Sequence, residues 1–115
     1  MEPNRDEYVR LVLGAYRQTP GTTGGVRRQD RLLAAQLYQR GVPLLAVENA
    51  LVLAAARRLL RPTKAAPLGT IRSLAYFLPV IDEVLDLAVS PDYFQFLRGK
   101  IARFYPNTSN STTTR

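Results

Sequence analysis

The sequence predicts an all-α fold: a compact bundle of five or six helices around a central apolar helix at about 43–61. Three observations predict it. Apolar residues recur at helical spacing through most of the chain. The run Gln39-Arg40-Gly41-Val42-Pro43 stops one helix and starts another, because Gly41 can take the left-handed conformation that ends a helix and Pro43 suits a first turn. Residues 44–60 are apolar on nearly every face, the pattern of a helix buried on several sides. A chain of 115 residues, 46% of them hydrophobic, is long enough for one core and too apolar to stay disordered. One helical domain over 1–106 and a disordered Ser/Thr-rich tail over 107–115 are expected.

The elements follow in order. A first helix at about 5–18 carries Tyr8, Leu11, Val12, Ala15 and Tyr16 on one stripe, with Asn4 as N-cap and Asp6 and Glu7 in the first turn, where carboxylates oppose the helix dipole. Three glycines and a proline in 19–25 make a loop. A second helix at about 28–40 has a mixed face. Its start carries Arg27, Arg28 and Arg31 against the dipole, so solvent, Asp30 or an anionic partner must offset them. The third, central helix turns Val47, Ala50, Leu51, Ala54 and Ala55 inward and ends in Arg57, Arg58 and Arg61 before Pro62. The next apolar pattern contains Pro79, which removes a helix donor and disfavours helix at Leu78. Two short helices are expected there, about 70–77 and 79–87. Ser90 and Pro91 open a last helix whose inner stripe is Tyr93, Phe94, Leu97, Ile101 and Phe104, with Arg98, Lys100 and Arg103 largely outside it.

Composition narrows the chemistry. The chain has no cysteine and no histidine, which removes disulfides, thiol nucleophiles, His-based triads and the commonest metal ligands. The longest apolar stretch, 42–56, is interrupted by Glu48 and Asn49 and is too short for a membrane span. The charged N-terminus has no signal-peptide run after it, so a cytoplasmic protein is expected, and the Asn107 and Asn110 glycosylation patterns read as chance matches in the tail. The loop 19–25 is Gly-rich but ends Gly25-Val26-Arg27 with no preceding strand, unlike a nucleotide-binding P-loop. Asp82 and Asp86 share a helix face. Adjacent acids of this kind, suited to pairing with Arg72 or Lys100, do not form a cleft that separates two pKa values. An enzyme is not expected, nor a cofactor.

The net charge is +7, and 14 of the 16 basic residues are Arg. That balance favours an anionic partner. Arg27, Arg28 and Arg31 begin the second helix, and Arg57, Arg58, Arg61 and Lys64 end the third. If the two helices are antiparallel across their short turn, both clusters share one side and can contact several phosphates. A DNA-reading helix-turn-helix is disfavoured, because Leu44-Leu45-Ala46-Val47 puts no polar group where base edges are read, and a core αα-hairpin is expected instead.

The segment Gly41-Val42-Pro43-Leu44-Leu45-Ala46-Val47-Glu48-Asn49-Ala50-Leu51, followed by Ile71-Arg72-Ser73-Leu74-Ala75-Tyr76-Phe77, resembles helical modules in the C-terminal parts of plasmid and phage replication initiators and replisome organisers. The resemblance covers roughly 31–85 and rests mostly on apolar spacing. It implies a DNA-associated module of a replication protein or mobile element. It carries over no functional residue, and the polar tail that follows the Tyr helix in that family is replaced here by Leu78-Pro79-Val80. The expectation is therefore a non-catalytic nucleic-acid-binding module, with Arg27, Arg28, Arg31, Arg57, Arg58, Arg61 and Lys64 as its phosphate-contacting surface. The alternative is a protein-interaction or self-assembly module that offers Leu45, Val52 and Tyr76 to a partner chain.

Overall fold

The fold is all-α. The computed structural model describes residues 3–62, 64, 68–86 and 91–104, the side chains of 91, 92 and 104 excepted. It holds α1 (Arg5–Gln18), α2 (Arg28–Gln39), α3 (Leu44–Leu59), a 3-10 turn (Leu74–Phe77), α4 (Leu78–Asp86) and α5 (Pro91–Phe104). The expected tail and the Ser90 cap lie outside the described residues.

α1 begins where its cap predicts. Asn4 is extended, and its Oδ1 accepts from the Glu7 amide at 2.8 Å. Tyr8, Val12 and Tyr16 of the predicted stripe are buried, joined by Leu13, while Leu11 is only half-buried. The end of α2 is a Schellman motif. Gly41 has φ +77°, its amide donates to the Tyr38 carbonyl, and the Val42 amide donates to the Leu37 carbonyl at 3.1 Å. Leu37 and Val42 are both buried in one cluster, the apolar contact that accompanies this motif. The buried Tyr8 hydroxyl donates to the Val42 carbonyl at 2.8 Å and ties the start of α1 to this turn.

α3 is the central helix, packed against α1, the 3-10 turn, α4 and α5. Half of its sixteen residues are buried, and five of those are alanines that let the neighbours come close. It starts one residue later than predicted because Pro43 is extended and occupies the cap position, its carbonyl accepting from Ala46 and Val47. The expected core αα-hairpin is not formed. α2 packs along α1 and against the 3-10 turn, with little contact with α3 beyond the connecting turn. α1 packs on both and spaces them.

The predicted helix at 70–77 is also corrected. Ile71 makes a parallel bridge to Thr22, and Ser73 is extended (φ −152°, ψ 152°). Only Leu74–Phe77 turns, as a 3-10 segment that leads directly into α4. The break expected near Pro79 falls between Phe77 and Leu78, where the 3-10 segment gives way to α4 just ahead of the proline. Pro79 sits in the first turn of α4, where its missing amide donor matters little.

The main core joins α1, α2, α3, the 3-10 turn and α4. A smaller cluster of Leu53, Ala56, Phe94 and Leu97 seats α5 on α3. Of the predicted α5 stripe, Phe94 and Leu97 are buried, Ile101 is partly so, and Tyr93 is exposed; the Phe104 side chain lies outside the described residues. Arg98, expected outside, is half-buried and donates to Asn49 Oδ1 at 3.2 Å.

Candidate functional site

The site is built on a short crossing of two loops. Thr19 ends α1, its hydroxyl donating to the Ala15 carbonyl at 2.8 Å. The chain then turns at Gly21 (φ +95°) and runs beside residues 69–73. There the Ile71 amide donates to the Gly21 carbonyl at 2.7 Å, and the Thr23 amide donates to the Ile71 carbonyl at 3.0 Å.

Arginines then fasten the exposed carbonyls of both loops. Arg17 Nε donates to the Gly24 carbonyl at 3.2 Å, Arg27 Nη2 to the Arg72 carbonyl at 2.7 Å, and Arg58 Nη2 to the Gly69 carbonyl at 2.8 Å. Gly21 is favoured by its positive φ, and a Cβ there would stand 3.0 Å from Arg58 Nε, so the arginine would have to shift slightly.

Beneath this surface is Asp30, which sequence reasoning named only as one possible counter-charge. It is 1% exposed. Oδ2 accepts from the Arg27 amide at 2.8 Å, capping the first turn of α2, and Oδ1 accepts from the Leu74 amide at 2.9 Å. One carboxylate thus joins two elements that are 44 residues apart. It also answers how three arginines are tolerated at a helix N-terminus, since a buried anion sits in that turn. The Tyr16 hydroxyl is buried without a hydrogen-bond partner among the described residues. Burial pushes its ionisation upward, the Asp30 carboxylate adds to this, and Arg27 opposes it.

Both predicted basic clusters do reach one end of the bundle. α1 packs on both α2 and α3, and the loops after α1 and α3 meet Arg27 and Arg58. Arg27 and Arg58 hold opposite ends of the one segment 69–72. The seven predicted residues nevertheless differ in state. Arg28 and Arg31 are exposed on the first turn of α2, and their side chains make no hydrogen bond or ion pair among the described residues. Lys64 is exposed beyond the end of α3. Arg27 and Arg58 hold carbonyls. Arg57 forms a two-pronged ion pair with Glu83, whose carboxyl is held below its ordinary range by that hydrogen bond. Arg61 is half-buried. Arg17 and Arg72, not among the predicted seven, belong to the same surface.

The acids lie elsewhere or are engaged. Asp6 and Glu7 begin α1 at the opposite end. Asp82 pairs with Arg40 at 3.3 Å and Glu83 with Arg57, not with the expected Arg72 or Lys100.

Concavities open at two places among the described residues. One, of about 450 Å³, opens at the basic end between Arg57, Arg58 and Arg61, with Ala54, Leu68, Tyr76 and Val80 completing its lining. The other, of about 420 Å³, lies between the end of α1, α3 and α5 and is largely apolar, with Glu48 and Arg98 among its lining residues. Among the described residues no three acidic groups converge to hold a metal ion, and no helix is long and apolar enough to cross a membrane.

Comparison of the chain with protein-family models, curated proteins and solved structures returns no match.

Proposed function

We propose that the chain is a non-catalytic module that binds nucleic acid by phosphate contacts at its basic end. One observation carries this reading: arginines from both predicted clusters meet on the segment 69–72, with Arg28, Arg31 and Arg72 exposed. Cations spaced over one face neutralise several phosphates and release their counterions. The backbone bonds made by Arg27 and Arg58 hold that face in a fixed shape, which reduces the ordering needed on binding. An accessory part in replication, which the resemblance implies, suits a module that holds DNA without reacting with it.

The rival reading is a protein-interaction module. Leu45 is 60% exposed and Tyr76 is 45% exposed, as that reading requires, whereas Val52 is packed on the second cluster. Leu45 begins α3 and Tyr76 lies near its far end, so the two do not make one apolar patch of the kind that marks a protein interface.

Binding to labelled DNA and RNA over a salt series tests the proposal. Affinity falls steeply with salt, and Arg28→Ala combined with Arg31→Ala weakens binding to all sequences alike while reducing the salt slope by about 2. These two residues are the cleanest probes because neither holds the fold. No binding at low salt would remove the proposal, and a dimeric mass in solution would then favour the rival.

A further inference from the structure

We infer that the pocket at the end of α3 receives one unpaired base of a single-stranded nucleic acid, stacked on the Tyr76–Arg58 pair. The inference rests on the nucleic-acid reading and sharpens it from backbone contact to strand type.

Phosphate contact alone needs only exposed cations. It does not account for a half-exposed aromatic ring fixed among them. Tyr76 is fixed from two sides. Its hydroxyl accepts from Arg58 Nη1 at 3.2 Å, with the guanidinium 5.8 Å from the ring centroid. Its ring also meets the fully buried Phe77 edge to face, at 5.1 Å and 75°. Arg58 is in turn fixed by the Gly69 carbonyl. Arg58 thus holds the Tyr76 ring in place at the pocket, and bases stack on tyrosine rings and on guanidinium groups alike.

The rest of the pocket suits the same occupant. Ala54, Leu68 and Val80 give it apolar walls, and Arg57 and Arg61 complete its lining with positive charge. Its volume of about 450 Å³ lies within the range of small-ligand pockets. A base inside a duplex has both faces stacked and cannot enter without being flipped out, so the pocket selects unpaired strands. Every base offers a π face, so little sequence preference is expected.

The test measures binding of a labelled oligothymidylate and of a labelled duplex of equal charge, at one salt concentration, to the wild type, Tyr76→Ala and Tyr76→Trp. The wild type binds the single strand about tenfold more tightly than the duplex, and Tyr76→Ala abolishes that ratio while duplex binding is retained. Tyr76→Trp keeps the ratio and introduces the chain's one tryptophan, whose emission the single strand quenches and the duplex does not. If Tyr76→Ala loses its helical circular dichroism, the quenching decides alone. Equal binding of both strands with no quenching would overturn the pocket and leave the phosphate reading standing. Binding of neither probe at low salt would overturn both.

Discussion

The two ends of α2 are closed by opposite means. At its C-terminus the closure is local and made of backbone: a left-handed Gly41, two short-range amide bonds and an apolar contact between Leu37 and Val42. At its N-terminus the closure is made of charged side chains that also reach distant parts of the chain: Asp30 caps the Arg27 amide and holds Leu74, and Arg27 reaches the Arg72 carbonyl. The difference teaches that positive charge in this chain has two uses. Arg27 and Arg58 hold loops together, whereas Arg28 and Arg31 hold nothing within the described chain. A count of arginines therefore overstates the surface offered to a partner.

Asp30 is where α2 is most vulnerable. Asp30→Ala leaves the Leu74 amide buried without an acceptor and uncaps α2, and is expected to lower stability by about 3 kcal/mol in urea denaturation. Gly41→Ala attacks the other end by placing a Cβ at φ +77°, with open space around it, so only backbone strain of about 1 to 2 kcal/mol is expected. A larger loss for Gly41→Ala than for Asp30→Ala would reverse the ranking of the two closures.

Tyr16→Phe is expected to stabilise the fold. It removes a buried hydroxyl that has no partner among the described residues, and a gain of up to about 1 kcal/mol is expected. The pH dependence has a defined sign. The folded Tyr16 ionises above its ordinary value of 10.0, so the unfolded chain loses this proton first. Its contribution is fully present below that value and is lost as pH rises above it. Thermal melts at increasing alkaline pH should therefore cost the wild type more than Tyr16→Phe.

The smallest stability effect belongs to Glu83→Gln. The Arg57–Glu83 pair is largely solvated, and its removal should shift a melt little. Because the folded carboxyl ionises below the ordinary glutamate range, the pair contributes above that range and is lost as pH falls through the lowered value. The variant's useful readout is binding: with its counter-charge removed, Arg57 becomes available to phosphate, and the salt slope should steepen by up to about 1.

What was legible in the sequence is what short-range chemistry decides. The cap at Asn4, the turn at Gly41 and the burial of α3 each depend on residues within a few positions of one another. The extended stretch at 70–73 was not legible. Thr70-Ile71-Arg72-Ser73 continues a helical pattern, and what pulls it straight is the backbone of Gly21 and Thr23, some 50 residues earlier. Asp30 was hidden for the same reason, since its second partner lies 44 residues on. At the site, residue types located the basic end, but they could not separate arginines that fasten carbonyls from those left exposed. The Arg58–Tyr76 contact was not legible, because it depends on how α3 meets the 3-10 turn.

The Asp30 carboxylate has one more consequence, for the order in which parts of the molecule open. A four-residue 3-10 turn would ordinarily exchange its amide protons freely with solvent. The Leu74 proton is instead held by a side chain rooted in another helix, so it escapes only when the first turn of α2 lets go. Hydrogen exchange should therefore find Leu74 and the amides at the start of α2 opening with one shared free energy. The two segments form a single cooperative unit, although nothing in chain order makes them neighbours.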